Sequence, residues 1–196
     1  MSISIVKYNA GNIFSVENAL HRLGVEATVT DDPLVLSQSD KVIFPGQGEA
    51  SHAMAYLRAH GLDEVIRHLR QPVLGICIGQ QLLCTHSEEG DTDCLGIIDA
   101  PVVRFRPTRP DEKIPAMGWN SLYDLETPLF EGLGDTPYVY FVHSYYVPLC
   151  AATIAKADYT LPFSAALHKD NFYATQFHPE KSGSTGERIL RNFLAL

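Results

Sequence analysis

Cysteine is scarce in this sequence, and the spacing of the few cysteines argues against a metal site. Four are present, at positions 77, 84, 94 and 150, and no two of them form a Cys-x-x-Cys pair. Structural zinc sites usually draw ligands from such close pairs. We therefore expect no bound metal and no other cofactor.

Long hydrophobic runs are also missing. No apolar stretch approaches the roughly 18 residues that a membrane-spanning helix requires. Residues 1–5 do not begin a leader peptide with a charged and then an apolar part. We therefore expect a chain that neither spans a membrane nor is secreted, and we place it in the cytoplasm with free thiols.

Positive charge is in deficit. The chain has 15 Lys and Arg against 23 Asp and Glu, a net charge of -8. Phosphate backbones are bound by clustered basic side chains, so this balance argues against nucleic acid as a partner.

A length of 196 residues with 45% hydrophobic side chains is enough to bury a full core. We predict a single domain, residues 1–196.

The most informative segment that is present is Gly-Ile-Cys-Ile-Gly at residues 75–79. The apolar run 72–76 predicts a buried parallel strand, and a helix should begin at Ile78. A sharp strand-to-helix turn flanked by glycines is the arrangement that exposes a nucleophile at the end of a sheet. The helix N-terminus would favour the thiolate form of Cys77. The simpler alternative is a small buried side chain, which is what most cysteines are.

A second motif, His178-Pro179-Glu180, follows later in the chain. Residues 173–177 alternate as a strand does, and Pro179 should hold His178 in an extended conformation. In an extended segment the side chains at i and i+2 point the same way. Glu180 should therefore reach the imidazole of His178 and fix its tautomer. A lone histidine is more often a satisfied surface or core group, so its neighbours are what single it out.

Together these motifs resemble those of the class I glutamine amidotransferases, and the resemblance covers essentially the whole chain. It implies hydrolysis of the glutamine side-chain amide through a cysteinyl thioester. By motif position, Cys77 is the nucleophile, His178 the general base and acid, and Glu180 the orienting carboxylate. The residue order also favours this family over the α/β-hydrolases, in which the acid precedes the histidine.

An apolar strand followed by a proline and two glycines occupies residues 42–49 and resembles the family's oxyanion segment. A tetrahedral intermediate needs N–H donors aimed at its negative oxygen, and glycine-rich backbone can present them. We assign the backbone N–H groups of Gln47 and Ile78 to this role. The family more often has a small aliphatic residue at position 47. The alternative, a partial dinucleotide-binding loop, lacks its third glycine because Ser51 stands there.

Further positions are implied to bind the substrate glutamine. Gln81 lies one helical turn after Cys77 on the same face and resembles the family's substrate-binding glutamine. Glu89 is placed to take the substrate ammonium, although acidic residues on a polar loop are more often simply solvated. The remaining substrate-contacting positions are Gly46, Gly48, Ser144 and Tyr145.

The apolar pattern predicts an α/β fold: a doubly wound, mostly parallel central sheet with helices on both faces, and mixed or antiparallel strands in the C-terminal half. A turn at residues 9–12 follows the first strand. The predicted strands are 3–6, 25–30, 41–44, 71–76, 102–104, 121–123, 138–142, 153–157, 164–168 and 173–177. The predicted helical segments are 13–20, parts of 51–69, one that begins at Ile78, and 184–196.

A glutaminase only releases ammonia, and the domain described leaves no residues to bind an acceptor. We therefore expect the synthase to be another chain. Ammonia in neutral water is mostly protonated and non-nucleophilic, so the face around the triad should be a sealed interface. The flexible segment 46–48 is also suited to holding the Gln47 N–H turned away until the partner binds its own ligand.

Three further segments narrow the family: Gly11-Asn12, Met-Gly-Trp-Asn at 117–120, and Lys-Ser-Gly at 181–183. They resemble the glutaminase subunit of imidazole glycerol phosphate synthase, of histidine biosynthesis. This resemblance implies a heterodimer with a (β/α)8-barrel cyclase, contacted by Asn12, Trp119 and Lys181. The cyclase would use the ammonia to make imidazole glycerol phosphate and an aminoimidazole carboxamide ribonucleotide.

Alternatives remain open at this point. Glutaminase subunits of anthranilate, aminodeoxychorismate or pyridoxal phosphate synthesis share the triad but usually lack the 117–120 segment. A non-catalytic binding module with the same fold would have no thiolate. Trp119, the only tryptophan, could be an ordinary core aromatic, and Ala116 stands where the family commonly has a histidine.

Overall fold

The computed structural model describes residues 1–9 and 11–196; Ala10, in the predicted turn at 9–12, lies outside the described residues. The strands are β1 Ile3–Val6, β2 Thr28–Thr30, β3 Lys41–Phe44, β4 Val73–Ile76, β5 His86–Ser87, β6 Thr92–Asp93, β7 Pro101–Arg104, β8 Ala116–Ser121, β9 Tyr138–His143, β10 Tyr145–Tyr146, β11 Thr153–Asp158, β12 Pro162–Lys169 and β13 Phe172–Thr175. The α-helices are α1 Ile13–Arg22, α2 Pro33–Gln38, α3 Ala50–Ala59, α4 Leu62–His68, α5 Ile78–Leu83 and α6 Gly183–Ala195.

A seven-stranded sheet in the order β11-β12-β13-β4-β3-β1-β2 forms the centre of the fold. The five strands from β13 to β2 are parallel to their neighbours, whereas β11 and β12 extend the sheet in antiparallel fashion. Smaller sheets are formed by β10-β7-β5-β6 and by the ribbon β8-β9. The predicted α/β class, with added antiparallel strands in the C-terminal half, is confirmed.

Helices cover both faces of this sheet because successive side chains in each buried strand point to opposite sides. In β3, Ile43 joins the core shared with α1 and α6, whereas Val42 and Phe44 join the core under α2 to α5. The last helix buries Ile189, Leu190 and Phe193, as its 3.6-residue period predicts. Leu194 on the same helix is only partly buried.

The sequence prediction missed the short strands β5, β6 and β10 and helix α2, and it placed one strand wrongly. Helix α2 was not predicted, although Asp32 accepts a hydrogen bond from the Leu34 N–H at 2.8 Å and Pro33 occupies the first helical position, which together are a typical helix start. The strand predicted at 121–123 is wrong: β8 ends at Ser121, and Tyr123 makes only an isolated bridge to Lys156. Glycine at 118 and exposed apolar residues on either side of it obscured the strand period in β8.

The parallel strands bring the sequence-predicted site residues to one edge. Asn12, Gln47, Cys77 and His178 follow the carboxyl ends of β1, β3, β4 and β13, respectively. Ligand sites in open α/β sheets lie outside these carboxyl ends. In the described part of the chain, no helix is long and apolar enough to cross a membrane. In the same part, no cluster of three or more His, Cys, Asp or Glu side chains could hold a metal ion.

Candidate active site

Cys77 occupies a strained turn between β4 and α5. Its backbone has φ 55° and ψ -108°, a conformation that is uncommon for a residue with a side chain. The Cys77 N–H donates to the Thr175 carbonyl at 2.7 Å, which ties the turn to β13. A Cβ on Gly79 would lie 2.0 Å from the Phe44 carbonyl oxygen. Only glycine therefore allows α5 to start this close to β3, and the predicted strand-to-helix elbow is present.

The side chain of Cys77 lines a cavity of about 370 Å³ at the carboxyl edge of the sheet. Its sulfur lies 3.8 Å from the Val142 carbonyl oxygen on β9 and 3.7 Å from Nε2 of Gln176. The cavity is also lined by Gln47, Gly48, Ile78, Gln81, Glu89, Pro115, Val142, His143, Ser144 and Tyr145. Most of the positions predicted to bind glutamine thus face one space together with the cysteine.

His178 and Glu180 form a buried pair beside Cys77. Nδ1 of His178 lies 2.7 Å from Oε1 of Glu180, and both side chains are fully buried. The predicted contact is present, but the predicted reason for it is wrong. His178 itself is extended, whereas Pro179–Lys181 forms a 3₁₀ helix rather than continuing the strand. Proline favours the first position of a helix, and the resulting turn brings the Glu180 carboxylate back onto the ring.

The protonation of His178 is set by these neighbours. Burial lowers the pKa of His178, but the Cys77 sulfur as a thiolate and hydrogen-bond acceptor, together with the Glu180 carboxylate, raises it to about 9. Nε2 of His178 is buried and has no hydrogen-bond partner among the described atoms. Catalytic hydrogen bonds often tighten only when substrate is bound. At neutral pH the arrangement favours the imidazolium form of His178.

Asn12 contacts the same pair. Its Nδ2 donates a hydrogen bond to Oε1 of Glu180 and lies 3.4 Å from Nδ1 of His178. Asn12 adopts the left-handed conformation, φ 78°, at the start of α1, which turns its side chain toward the carboxylate. The residue predicted to touch a partner is therefore also bonded to the proposed orienting carboxylate.

The segment after β3 packs directly on the elbow. A Cβ on Gly46 would lie 2.0 Å from Cγ2 of Ile78 and 2.4 Å from the Tyr8 hydroxyl, so glycine is needed for this close approach. The Tyr8 hydroxyl donates to the Pro45 carbonyl at 2.6 Å. Burial and the nearby Cys77 raise the pKa of this phenol, which keeps the donor proton in place.

The two proposed oxyanion donors lie at this junction. Ile78 is the first residue of α5, so its N–H has no carbonyl partner within the helix. The Gln47 carbonyl accepts from the Gly11 N–H over a long 3.4 Å. Residue 47 is thus connected to the turn that positions Asn12.

The proposed substrate-binding side chains have partners that define their orientation. Both Nε2 hydrogens of Gln81 are used, one on the Tyr145 carbonyl at 3.1 Å and one on Oε1 of Gln176 at 2.9 Å. Its Oε1 has no hydrogen-bond partner among the described atoms, and the side chain lines the cavity. Oε2 of Glu89 accepts from the Ala50 N–H at 2.9 Å, at the start of α3. Burial raises the pKa of Glu89, the Ala50 N–H opposes that shift, and Glu49 adds to it.

Two residues near the sulfur were missed in the sequence. Gln176 is fully buried beside Cys77, and His143 is a buried residue of the cavity wall among Phe105, Phe141 and Phe163. His143 ends the apolar strand β9, and Gln176 directly follows the apolar strand β13, although both side chains are polar. That mismatch with the strand pattern was the available signal.

The residues predicted at a partner interface lie at the surface next to the triad. Trp119 is 56% exposed, so the alternative of a core aromatic is wrong. Met117 and Tyr138 are exposed by 65% and 60% on the same ribbon. We name these three residues the ribbon patch. It adjoins the site because the Tyr140 carbonyl, opposite Trp119, accepts from the His178 N–H at 2.9 Å. Lys181 is also exposed.

Comparison with known proteins agrees with this geometry. The model of the family described as glutamine amidotransferase class-I matches residues 5–196. The chain belongs to the class I glutamine amidotransferase family. This amidotransferase is 62% identical over 196 residues to the imidazole glycerol phosphate synthase subunit HisH of Bacteroides thetaiotaomicron. It is 45% identical over 198 residues to the protein of the same name from Escherichia coli K12, and both alignments cover 100% of each chain.

Solved structures extend the comparison to the fold. The amidotransferase is similar to a crystal structure of a glutamine amidotransferase with a TM-score of 0.76 and 23% identity, covering 100% of this chain and 98% of the other. It is also similar to a glutamine amidotransferase from Thermotoga maritima with a TM-score of 0.63 and 18% identity, covering 100% and 83%. At these identities the likeness concerns the fold alone.

Proposed function

We propose that Cys77 of this chain is the nucleophile that hydrolyses glutamine, with His178 as general base and acid and Glu180 as the orienting carboxylate. The chain is the glutaminase subunit of imidazole glycerol phosphate synthase, an enzyme of histidine biosynthesis. The observation that carries the proposed roles is the cavity itself. Its wall contains a cysteine in a strained elbow, and the charge of that cysteine's sulfur acts on the histidine of a buried His–Glu pair.

The reaction proceeds in two halves. The Cys77 thiolate attacks Cδ of the glutamine amide, and the oxyanion that forms is bound by the Gln47 and Ile78 N–H groups. The imidazolium of His178 gives its Nε2 proton to the departing nitrogen, so ammonia leaves and a thioester remains. Water then loses a proton to Nε2 and attacks the thioester, which releases glutamate and restores the thiolate. The Glu180 carboxylate accepts from Nδ1 of His178 and holds the imidazole in one tautomer.

The substrate fits the polar groups around the cavity. The free Oε1 of Gln81 and the remaining oxygen of Glu89 are acceptors suited to the α-ammonium of glutamine. The backbone of Ser144 and Tyr145, with Gly46 and Gly48 opposite, contacts the rest of the amino acid in this proposal. No metal or other cofactor is needed for any of these steps.

The ammonia is consumed by a partner subunit, which we propose is a (β/α)8-barrel cyclase in a heterodimer. The ribbon patch supports this proposal because contiguous exposed aromatic and methionine side chains mark protein interfaces. Asn12 and Lys181 would border the same contact. A complex that seals the site would keep ammonia away from water until it reaches the active site of the cyclase.

We further propose one domain spanning 1–196 that works in the cytoplasm. All four cysteines are free and three are buried, which suits a reducing compartment.

The test is Cys77→Ala in the complex with its cyclase. Synthesis of imidazole glycerol phosphate from glutamine should be lost, whereas synthesis from added ammonium salts should continue. The matched control is Cys84→Ala, which removes a buried thiol from the opposite end of α5, away from the cavity. Loss of the ammonium-dependent reaction together with the glutamine-dependent one would mean that Cys77 has a structural role.

A further inference from the structure

One buried side chain joins two parts of the site that the proposed mechanism uses separately. Gln176 directly follows Thr175, the last residue of β13, whose partner in the parallel ladder with β4 is Ile76, the residue before Cys77. Its backbone N–H donates to the Ala165 carbonyl at 2.8 Å, which anchors it to β12. Its side chain lies behind the cavity wall and is completely buried.

Both ends of this side-chain amide contact site residues. Oε1 accepts from Nε2 of Gln81 at 2.9 Å, and Nε2 lies 3.7 Å from the Cys77 sulfur as a donor. Burying an amide without partners is costly. Gln176 avoids this cost only while Cys77 and Gln81 keep their positions.

The direction of these hydrogen bonds is fixed by the Tyr145 carbonyl, which bonds to Gln81. The Tyr145 carbonyl can only accept, so the atom of Gln81 that faces it must be Nε2. The second hydrogen of that nitrogen points at Gln176, so the Gln176 atom that accepts it must be Oε1. The Nε2 group of Gln176 is therefore turned to the sulfur, where its N–H favours the charged thiolate over the thiol because bonds to ionised acceptors are stronger.

We propose that Gln176 is a positioning residue of this glutaminase. Its Nε2 donates a hydrogen bond to the Cys77 sulfur, and its Oε1 accepts one from the Gln81 amide. These two bonds align the nucleophile with the side chain that binds the substrate. The inference rests on the proposed function of Cys77 and Gln81. It adds that the orientation of Gln81, with Oε1 toward the substrate, depends on a residue that never touches the substrate.

The test separates the two contacts with two variants and a control. Gln176→Met removes both contacts at similar volume. Gln176→Glu keeps an acceptor for Gln81 but faces the sulfur with an oxygen. The control is Gln80→Met, because Gln80 is equally buried on α5 but bonds to the Ser164 carbonyl at 3.3 Å rather than to the site.

Two measurements are made on the full chain. The first is the pH profile of Cys77 alkylation by iodoacetamide, followed by peptide mass spectrometry. Its midpoint should rise by about one pH unit in Gln176→Met, the size expected for one lost bond to a charged group, and should rise also in Gln176→Glu. The second is glutaminase kinetics in the complex with the cyclase: KM for glutamine should increase in Gln176→Met and stay near wild type in Gln176→Glu. Gln80→Met should change neither.

An alkylation midpoint in Gln176→Met equal to that of wild type would overturn the proposal and leave Gln176 as packing. If Gln176→Met does not fold, an unchanged midpoint in Gln176→Glu has the same meaning. A wild-type complex without glutaminase activity would refute the proposed function instead, because the alkylation profile reports the contact between Gln176 and the sulfur independently of turnover.

Discussion

Acid should destabilise this protein through His143, a buried histidine that the proposed chemistry does not use. Burial lowers the pKa of His143 to about 4 from 6.5; its bond to the Tyr145 carbonyl opposes the shift and the charge of His178 adds to it. Three phenylalanine rings surround the imidazole at centroid distances of 5.2 to 5.5 Å. Nδ1 lies 2.7 Å from the Tyr145 carbonyl oxygen and donates to it. The folded protein therefore holds this imidazole neutral.

The sign of the effect follows from proton binding. Between pH 6.5 and 4 the unfolded chain protonates His143 and the folded protein does not, so the free energy of unfolding falls as the pH falls. The slope is about 1.4 kcal/mol per pH unit, and a difference of about 2.5 pH units gives about 3 kcal/mol in all. His143→Phe should remove this contribution. The Tyr145 carbonyl keeps a donor in that variant because Gln81 also bonds to it.

The assay is urea unfolding of the wild type and His143→Phe at several pH values from 7.5 to about 4.5, within the range where this histidine should titrate only in the unfolded state. The wild type should lose stability relative to the variant with every step below pH 6.5. The matched control is His52→Phe, which changes an exposed imidazole in the same way. Parallel curves for the wild type and His143→Phe would refute the reasoning.

Three further predictions concern the elbow around Cys77, the interface with the cyclase, and the regulation of glutaminase activity by that partner. Gly79→Ala should lower the free energy of unfolding by about 3 kcal/mol or more, because its Cβ would lie 2.0 Å from the Phe44 carbonyl oxygen. The control is Gly134→Ala, at an exposed position where no described atom lies within 4 Å of a new Cβ. This substitution should change the free energy of unfolding by less than about 1 kcal/mol. Trp119→Ala should weaken binding of the cyclase about 30-fold, the effect of a central aromatic. The chain alone should hydrolyse glutamine about a hundredfold more slowly than the complex with ligand, because the Gln47 donor is missing until then.

Each of these has a contradicting result. Equal urea midpoints for the two alanine variants would mean that the elbow tolerates a side chain. Unchanged cyclase affinity in Trp119→Ala, measured by calorimetry with the fold checked by circular dichroism, would remove the ribbon patch from the interface. Fast glutamine turnover by the purified chain, independent of the partner, would refute the regulation of glutaminase activity through the Gln47 N–H.

Local signals predicted the elbow and the ends of the parallel strands well. The short apolar run before Cys77 favours a strand buried on both faces, because such a strand needs continuous apolar residues. The glycine at 79 then requires a close approach that only the elbow explains. Strand ends come together at one edge in any parallel sheet, so the sequence was enough to group Gln47, Cys77 and His178.

Contacts that depend on turns and distant strands were not predictable in the same way. Glu180 meets His178 through a 3₁₀ turn, although an extended chain predicts the same pairing for a different reason. The contact between Asn12 and Glu180 joins opposite ends of the chain and has no local pattern. Gln176 is a fully buried polar side chain directly after the apolar strand β13, and such breaks in a local rule are typical of functional positions.

The most direct test of the central claim is reaction of the complex with an electrophilic glutamine analogue such as a diazoketone, followed by intact-mass and peptide mass spectrometry. We expect one covalent adduct, on Cys77, with none on Cys84, Cys94 or Cys150, and protection by excess glutamine. An unmodified Cys77 in a folded complex, or equal labelling of the other thiols, would contradict the assignment of this cavity as the glutaminase site.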